Sequence, residues 1–409
     1  MNTNDDVYVG SEIGVLRRVL LHRPGKELKN VTIDNKDELL IDEIVWVERA
    51  RRDHDDFASL LVNNGVEVVY FQDCLADVLK EPGIRRSLLD DLMMFETRDK
   101  NLADSLKQAV AEMSAEEAAE ILIGGMTKGE AARILGNIKS LAFVSADDRA
   151  FLFYPLPNLY FQRDPYFFVK NAVALCAMRY PARRREPLFA RYIFQHHPLF
   201  KNVKIIFGSE GRDRYPNVIE GGDFLVLNEN CVAIGMSERS MAGTIQNVAG
   251  RLASEIGITK VLAVDIPKQR AYMHLDTVFT MVDRDAFTIY PGIAGNIRIW
   301  ELTFDKRGNI VDLAETRDLF GCLKKHLGLE KIRCIETGGG DLTAASRDQW
   351  NDGTNTLAIA PGVVVTYEIN EASSRALCDN SIKVFEINGA ELGKGRGGQR
   401  CISMPLKRS

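Results

Sequence analysis

The sequence predicts an α/β protein assembled from five ββαβ units with one all-helical insertion. Three observations carry this. Short β-branched or aromatic runs come in pairs, and each pair is followed by an amphipathic stretch and a further strand-like run. That order recurs with a period of roughly 50 to 70 residues, which points to a radial or stacked repeat in which no unit buries its core alone. Between residues 74 and 147 the pattern gives way to Leu, Ala, Glu and Lys with helix-start signals. A doubly wound sheet would instead alternate single strands with helices.

The first unit opens at Val15–Arg23, read as one or two short strands. Apolar residues at 47, 50, 57, 60 and 61 then mark one face of a helix over Glu43–Asn63, closed by Gly65. Val66–Phe71 is the next strand. In the insertion, helix starts are expected at Asn101, at Ser114 with Glu117 and at Thr127 with Glu130, the last two spaced as capping boxes. Gly124, Gly125 and Gly136 are the expected stops.

The second unit pairs Tyr166–Val169 with Ala172–Met178 across Lys170-Asn171, followed by a helix over Arg184–Gln195 and the strand Val203–Phe207. The third pairs Phe224–Leu227 with Val232–Met236, then a helix over Met241–Ile256, a stop at Gly257 and Val261–Ile266. The fourth pairs Val278–Val282 with Phe287–Tyr290, with a helix expected over Leu313–Leu327, a stop at Gly328 and Ile332–Ile335. The fifth pairs Leu357–Ala360 with Val363–Tyr367, followed by Glu371–Cys378 and Ile382–Ile387. The resulting division is a main domain over 1–73 and 148–409, and a helical domain over 74–147.

At 409 residues, 45% hydrophobic and 27% charged, the composition is ordinary for a globular chain. A net charge of −5 gives no reason to expect nucleic acid or an anionic membrane as partner. No apolar run approaches the ~20 residues of a membrane helix, and the first ten residues lack the basic and apolar regions of a signal peptide. Seven scattered cysteines without a CxxC argue for reduced thiols in a cytoplasmic protein.

The polar residues that could carry chemistry stand just before the first strand of a pair: Asp164, Glu220 with Asp223, His274 with Asp276, and Asp352. Singly, an acidic residue beside glycine is a turn former, and a histidine between Met273 and Leu275 is equally a core residue. Equivalent positions in a radial repeat meet at the axis, however, and the C-terminal strand can bring Cys401 alongside. Carboxylates buried together call for a cation. A metal is one choice, with Glu220, His274 and Asp276 as ligands. A guanidinium is the other: it fits carboxylates through paired planar hydrogen bonds, and its carbon is then open to attack by a thiolate. In the stretch Gly393–Pro405, four glycines surround Arg396 before Cys401, as expected of a loop that comes close to a ligand.

Six blocks in order, NLYFQRDP from Asn158, EGGD from Glu220, SER from Ser237, MHLDT from Met273, NDGTN from Asn351 and RCISMP from Arg400, resemble the signature segments of the arginine deiminase family. The likeness runs from Ser11 to about Arg408. It is weaker only around Ser209–Pro216 and after Pro405.

The resemblance implies a five-bladed pseudo-symmetric ββαβ propeller of the guanidino-group modifying superfamily. It implies hydrolysis of L-arginine to citrulline and ammonia, with no cofactor and no metal, and a homo-oligomer. Carried over residue by residue, Cys401 is the nucleophile and His274 the general acid and base. Asp164 and Asp276 grip the guanidinium, and Glu220 assists His274. Arg183, Arg239 and Asn158 hold the α-carboxylate, Phe161 packs on the aliphatic stem, and Arg396 closes over the ligand. Other readings stay open on the residues alone: a related guanidino-modifying enzyme, a metal-dependent hydrolase, or a non-catalytic arginine-binding module.

Overall fold

The computed structural model describes residues 6–136, 138–208, 215–295 and 297–409. Most of the atypical stretch around Ser209–Pro216, and the first half of the segment read for a leader, lie outside the described residues.

The chain alternates strands and helices in the expected order. It begins with β1 (Leu16–Leu21), the helix Val47–Asn63 and β2 (Glu67–Tyr70). The helical stretch follows, with helices at Phe71–Leu79, Pro82–Glu96, Lys100–Glu112, Ala115–Gly124 and Lys128–Leu135, and a short pair made by β3 (Met126–Thr127) and β4 (Phe151–Phe153). Both expected capping boxes form: Ser114 with Glu117, and Thr127 with Glu130. The start expected at Asn101 falls instead at Asp99, whose carboxylate accepts from the Leu102 N–H.

The second unit comprises β5 (Tyr166–Val169), β6 (Ala172–Leu175), the helix Glu186–His196 and β7 (Lys204–Phe207). The third has β8 (Phe224–Asn228), β9 (Cys231–Met236), the helix Ala242–Ile256 and β10 (Lys260–Asp265). Then come β11 (Phe279–Met281), β12 (Ala286–Ile289), β13 (Arg298–Phe304), β14 (Ile310–Thr316), the helix Leu319–Leu327 and β15 (Arg333–Glu336). The fifth has the helix Leu342–Trp350, β16 (Leu357–Ala360), β17 (Val363–Tyr367), the helix Glu371–Asp379 and β18 (Lys383–Ile387), and β19 (Met404–Arg408) ends the chain.

The architecture is α/β with mixed sheets. Within each unit the first strand runs antiparallel to the second, and the third runs parallel to the second: β5-β6-β7, β8-β9-β10, β11-β12-β15 and β16-β17-β18. The first unit obtains its antiparallel strand from the other end of the chain. Val15–Arg23 holds one strand, not two, and β19 pairs with β1 while β2 lies parallel on its other side.

Two expectations need correction in the fourth unit. Leu313 lies in β14, and the helix begins only after Asp318, whose carboxylate caps the Gly321 N–H. Strands β13 and β14 form a hairpin that joins the third unit's sheet through β10. Its pattern misleads because Val311 and Leu313 are both exposed, so apolar residues do not mark a buried face.

Three clusters make up the interior. One joins the helical stretch to β5–β9 through Phe71, Leu75, Leu122, Phe167 and Phe194. A second underlies the fourth unit. A third combines β1, the helix Val47–Asn63, Tyr160, Val365 and Leu392, and it contains Cys401 and Ile402. Leu406 of β19 is fully buried, so Leu406→Ala should cost about 2–5 kcal/mol, read as a lowered urea midpoint with an unchanged slope.

Candidate active site

Each unit has a chemically distinctive residue a short way before its leading antiparallel strand. Asp164 precedes β5, Glu220 and Asp223 precede β8, His274 and Asp276 precede β11, and Asp352 precedes β16. Cys401 stands at the same place before β19. The thiol therefore belongs to the same recurring position as the carboxylates.

Glycine lets these ends come close. Gly221 donates its N–H to the Asp164 carbonyl at 2.9 Å, and a Cβ on Gly221 would lie 2.1 Å from the Arg163 carbonyl oxygen. A Cβ on Gly222 would sit 2.6 Å from the His274 ring. No other residue fits either place.

The side chains converge. His274 Nε2 lies 2.9 Å from a Glu220 oxygen, and its Nδ1 faces Asp164 Oδ1 at 3.7 Å. Cys401 Sγ lies 3.8 Å from Asp276 Oδ2, and the Cys401 N–H donates to Asn355 Oδ1 at 3.0 Å. Arg183 donates to Asp164 Oδ2 at 2.6 Å, and Arg400 donates to Asp276 Oδ2 at 2.6 Å. In both aspartates the second oxygen, Oδ1, is buried without a hydrogen-bond partner. Two unpartnered carboxylate oxygens in one closed site call for a donor-rich cation.

Burial disfavours the charge on His274, but Asp164, the hydrogen bond to Glu220 and Asp223 outweigh it and raise its pKa to about 9. Burial pushes Glu220 upward, and Arg239, His274 and Arg183 more than reverse this, so it is held well below the usual carboxylate range. Burial pushes the Cys401 thiol far up; Asp276, Asp164 and Asp352 add to this, and only Arg400 opposes it. The empty site therefore pairs a charged imidazole with a neutral thiol.

The remaining expected residues line the same cavity. Arg239 donates to Glu220 at 3.1 Å and lies over the Tyr180 ring. Arg183 also engages both oxygens of Glu186 and the carbonyls of Asn158 and Phe161, so the site's own groups occupy its guanidinium. Asn158 donates from Nδ2 to the Leu39 carbonyl at 2.6 Å.

Phe161 packs on the glycine loop, where a Cβ at Gly397 would come within 2.3 Å of its ring. Arg396 adopts a left-handed backbone and lays its guanidinium 3.6 Å over Trp350, leaving Nε and Nη1 unpartnered. The cavity among Leu40, Phe161, His274, Arg396 and Cys401 leaves about 20 Å³ for a water's centre, room for roughly one molecule. An amino acid enters only if a wall moves.

Several residues escape the sequence reading. Glu186, Arg400, Asn355, Trp350 and Glu12 each hold a site residue or a neighbour of one. Asn355 and Arg400 lie inside blocks already singled out, so their place in the sequence was a usable signal. Glu12 and Trp350 carry none. Among the described residues, no group of three or more His, Cys, Asp or Glu side chains is placed to hold a metal ion. No helix among them is long and apolar enough to cross a membrane.

Solved structures with this fold modify guanidino groups or their relatives. An amidinotransferase of saxitoxin biosynthesis from Microseira wollei aligns over 98% of this chain and 97% of its own, with a TM-score of 0.53 and 12% identity. A dimethylarginine dimethylaminohydrolase adduct with S-methyl-L-thiocitrulline aligns over 95% and 99%, with a TM-score of 0.51 and 13% identity. At such identities the likeness establishes the fold class.

Sequence comparison is more specific. The arginine deiminase family profile matches residues 37–408. Arginine deiminases of Bacillus cytotoxicus and Streptococcus sanguinis are 44% and 41% identical, each across 98% of both chains. The chain belongs to the arginine deiminase family.

The charge on His274 has a measurable consequence. Its folded pKa lies above the free value of 6.5, so the stability it contributes is fully present below pH 6.5 and is lost as pH rises through about 9. The urea midpoint should fall across that window, and His274→Gln should flatten the fall.

Proposed function

We propose that this protein hydrolyses the guanidinium of free L-arginine, giving L-citrulline and ammonia through a covalent intermediate on Cys401. One observation carries the proposal: the thiol of Cys401 and the imidazole of His274 line one cavity with Asp164, Asp276 lies 3.8 Å from the thiol, and each of the two carboxylates has an oxygen without a hydrogen-bond partner. Family membership and relatives named arginine deiminase over their full length support the same reading.

Asp164 and Asp276 take the N–H groups of the substrate, fixing the plane of the guanidinium and placing its carbon against Sγ. The arriving positive charge favours the thiolate over the thiol, whose proton leaves to solvent as the substrate enters. Sγ attacks the carbon, and His274, held by Glu220, donates a proton to the departing ammonia. His274 is then the base that activates a water; the water's oxygen bonds to the carbon, the C–S bond breaks and citrulline leaves. This chemistry calls on no cofactor and no metal. Arg183, Arg239 and Asn158 are assigned to the α-carboxylate and Phe161 to the aliphatic stem. Arg396 has two free donors and a stacking partner rather than an ion pair, which suits a side chain that turns from Trp350 to close over the ligand.

Five units with the same strand order, the gathering of Asp164, His274 and Cys401 at one cavity and the completion of the first sheet by β19 support a five-bladed pseudo-symmetric ββαβ propeller. Residues 74–147 are then its all-helical insertion and 1–73 with 148–409 its catalytic domain. A cytoplasmic homo-oligomer acting on a small molecule, with neither nucleic acid nor membrane as partner, completes the reading.

Citrulline and ammonia should appear from arginine and far more slowly from agmatine, which lacks a carboxylate for the two arginines. Equal turnover of agmatine would sink the substrate assignment. A chelator should leave the rate unchanged. Cys401→Ser should abolish turnover while arginine binding by calorimetry persists, and normal turnover by that variant would exclude the covalent route. Alkylation of Cys401 in the empty enzyme should be slow near neutral pH, because burial and three carboxylates hold the thiol protonated.

A further inference from the structure

We propose that Glu12 is a positioning residue for this reaction: it grips the outer edge of Arg400 so that Asp276 meets the substrate with one oxygen free and its charge uncancelled. The inference rests on the arginine-hydrolase reading above.

Glu12 lies before β1, far from the cavity in sequence, and is almost fully buried. Its backbone N–H donates to the Val226 carbonyl at 2.7 Å, and its Oε1 accepts from the Val226 N–H at 3.1 Å, so β8 pins it at both ends. Arg400 donates from Nε to Glu12 Oε2 at 3.1 Å and from Nη2 to Oε1 at 3.2 Å. Its Nη2 also reaches the Phe224 carbonyl at 2.7 Å, and its Nη1 reaches Asp276 Oδ2 at 2.6 Å.

The forked edge of a guanidinium is the one that clamps both oxygens of a carboxylate. Here Glu12 takes that edge. Asp276 receives a single N–H, its Oδ1 stays unpartnered, and Cys401 Sγ lies 3.8 Å from the shared oxygen. Without Glu12, the fork of Arg400 is released to clamp Asp276 and its charge stands unbalanced beside the thiol.

The neighbouring cations do not substitute for this partner. Arg400, Arg163 and Arg408 all face Glu12 and hold it as a carboxylate, down to about 2 against the opposing effect of burial. Arg163 donates to the Arg400 carbonyl and Arg408 to the Gly14 carbonyl. The charged groups that act most on Cys401 are Asp276, Asp164, Asp352 and Arg400, and His274 and Arg396 line the same cavity; Glu12 acts on the thiol through Arg400.

The test uses the full chain with Glu12→Gln and Glu12→Asp. Glu12→Gln should raise KM for arginine by about tenfold, the equivalent of one lost charged hydrogen bond, with a smaller change in kcat. It should also shift the pH profile of Cys401 alkylation in the empty enzyme to lower pH, because Arg400 then acts on the thiol unopposed. Glu12→Asp, which keeps the charge but withdraws it, should raise KM less and leave the alkylation profile in place.

A Glu12→Gln protein with wild-type near-UV circular dichroism, KM and alkylation profile overturns the proposal. So does one that loses activity only in proportion to its folded fraction. Should Glu12→Gln not fold, an unchanged KM in Glu12→Asp overturns it instead. The alkylation profile needs no substrate, so it judges Glu12 even if the wild-type chain releases no citrulline from arginine.

Discussion

The site depends on how buried carboxylates are kept charged. Asp164, Glu220, Asp223, Asp276 and Asp352 are all buried around one cavity, where unpaired like charges would cost several kcal/mol each or simply take up protons. Arginines meet this cost unevenly. Glu220 has Arg239 and His274 and is held firmly ionised. Burial raises Asp352 to about 7, with Arg396 opposing. Asp164 and Asp276 each have an arginine on one oxygen and no hydrogen bond on the other, although His274 Nδ1 faces that oxygen of Asp164 at 3.7 Å. In the proposed complex a planar cation with several N–H donors completes this graded pairing.

Backbone architecture makes the grading possible. Side chains placed just before leading strands, Asp164, His274 and Cys401 among them, line the shared cavity. Because β19 completes the sheet of β1 and β2, the turn that carries Cys401 leads straight into a paired strand, and Cys401 occupies its recurring place just before it. The same pairing brings Glu12, just before β1, within reach of Arg400, just before Cys401. Joining the two termini thus anchors the turn that carries Cys401 and sets Glu12 against Arg400 in one step.

Much of this was legible in the sequence because it is local or periodic. Both capping boxes, the stops at Gly257 and Gly328 and nearly every strand lie where hydropathy and turn chemistry put them. What was not legible depends on distant pairing. The β13–β14 hairpin shows its apolar residues to solvent on one strand, so alternation gave no buried face to detect. The partner of β1 lies almost four hundred residues away. In the site, acidic residues beside glycine could be recognised as a recurring set, but that Arg183, Arg239 and Arg400 pair with them could not. The glycines before Cys401 illustrate the limit: freedom to move was the sequence reading, whereas a Cβ at Gly395, Gly397 or Gly398 would collide with Tyr160, Phe161 or Asn355. Close packing requires those glycines whether or not the loop moves.

In the reaction proposed above, the resting protonation also constrains the order of events. With His274 charged and the thiol of Cys401 neutral, His274 cannot begin as a base, and the thiol is a poor nucleophile in the empty site. Both conditions change when a guanidinium enters between the aspartates. Its charge offsets Asp164 and Asp276, the groups that together with burial hold the thiol protonated, so the thiolate becomes accessible only in the occupied site. His274 keeps its proton through Glu220 until a leaving group needs it. Activation therefore follows from binding. A neutral isostere of the guanidinium, even one of the right shape, lacks the charge that would generate its own attacker. The collapsed cavity reinforces this, since water alone neither opens the walls nor supplies the cation that the two unpartnered oxygens await.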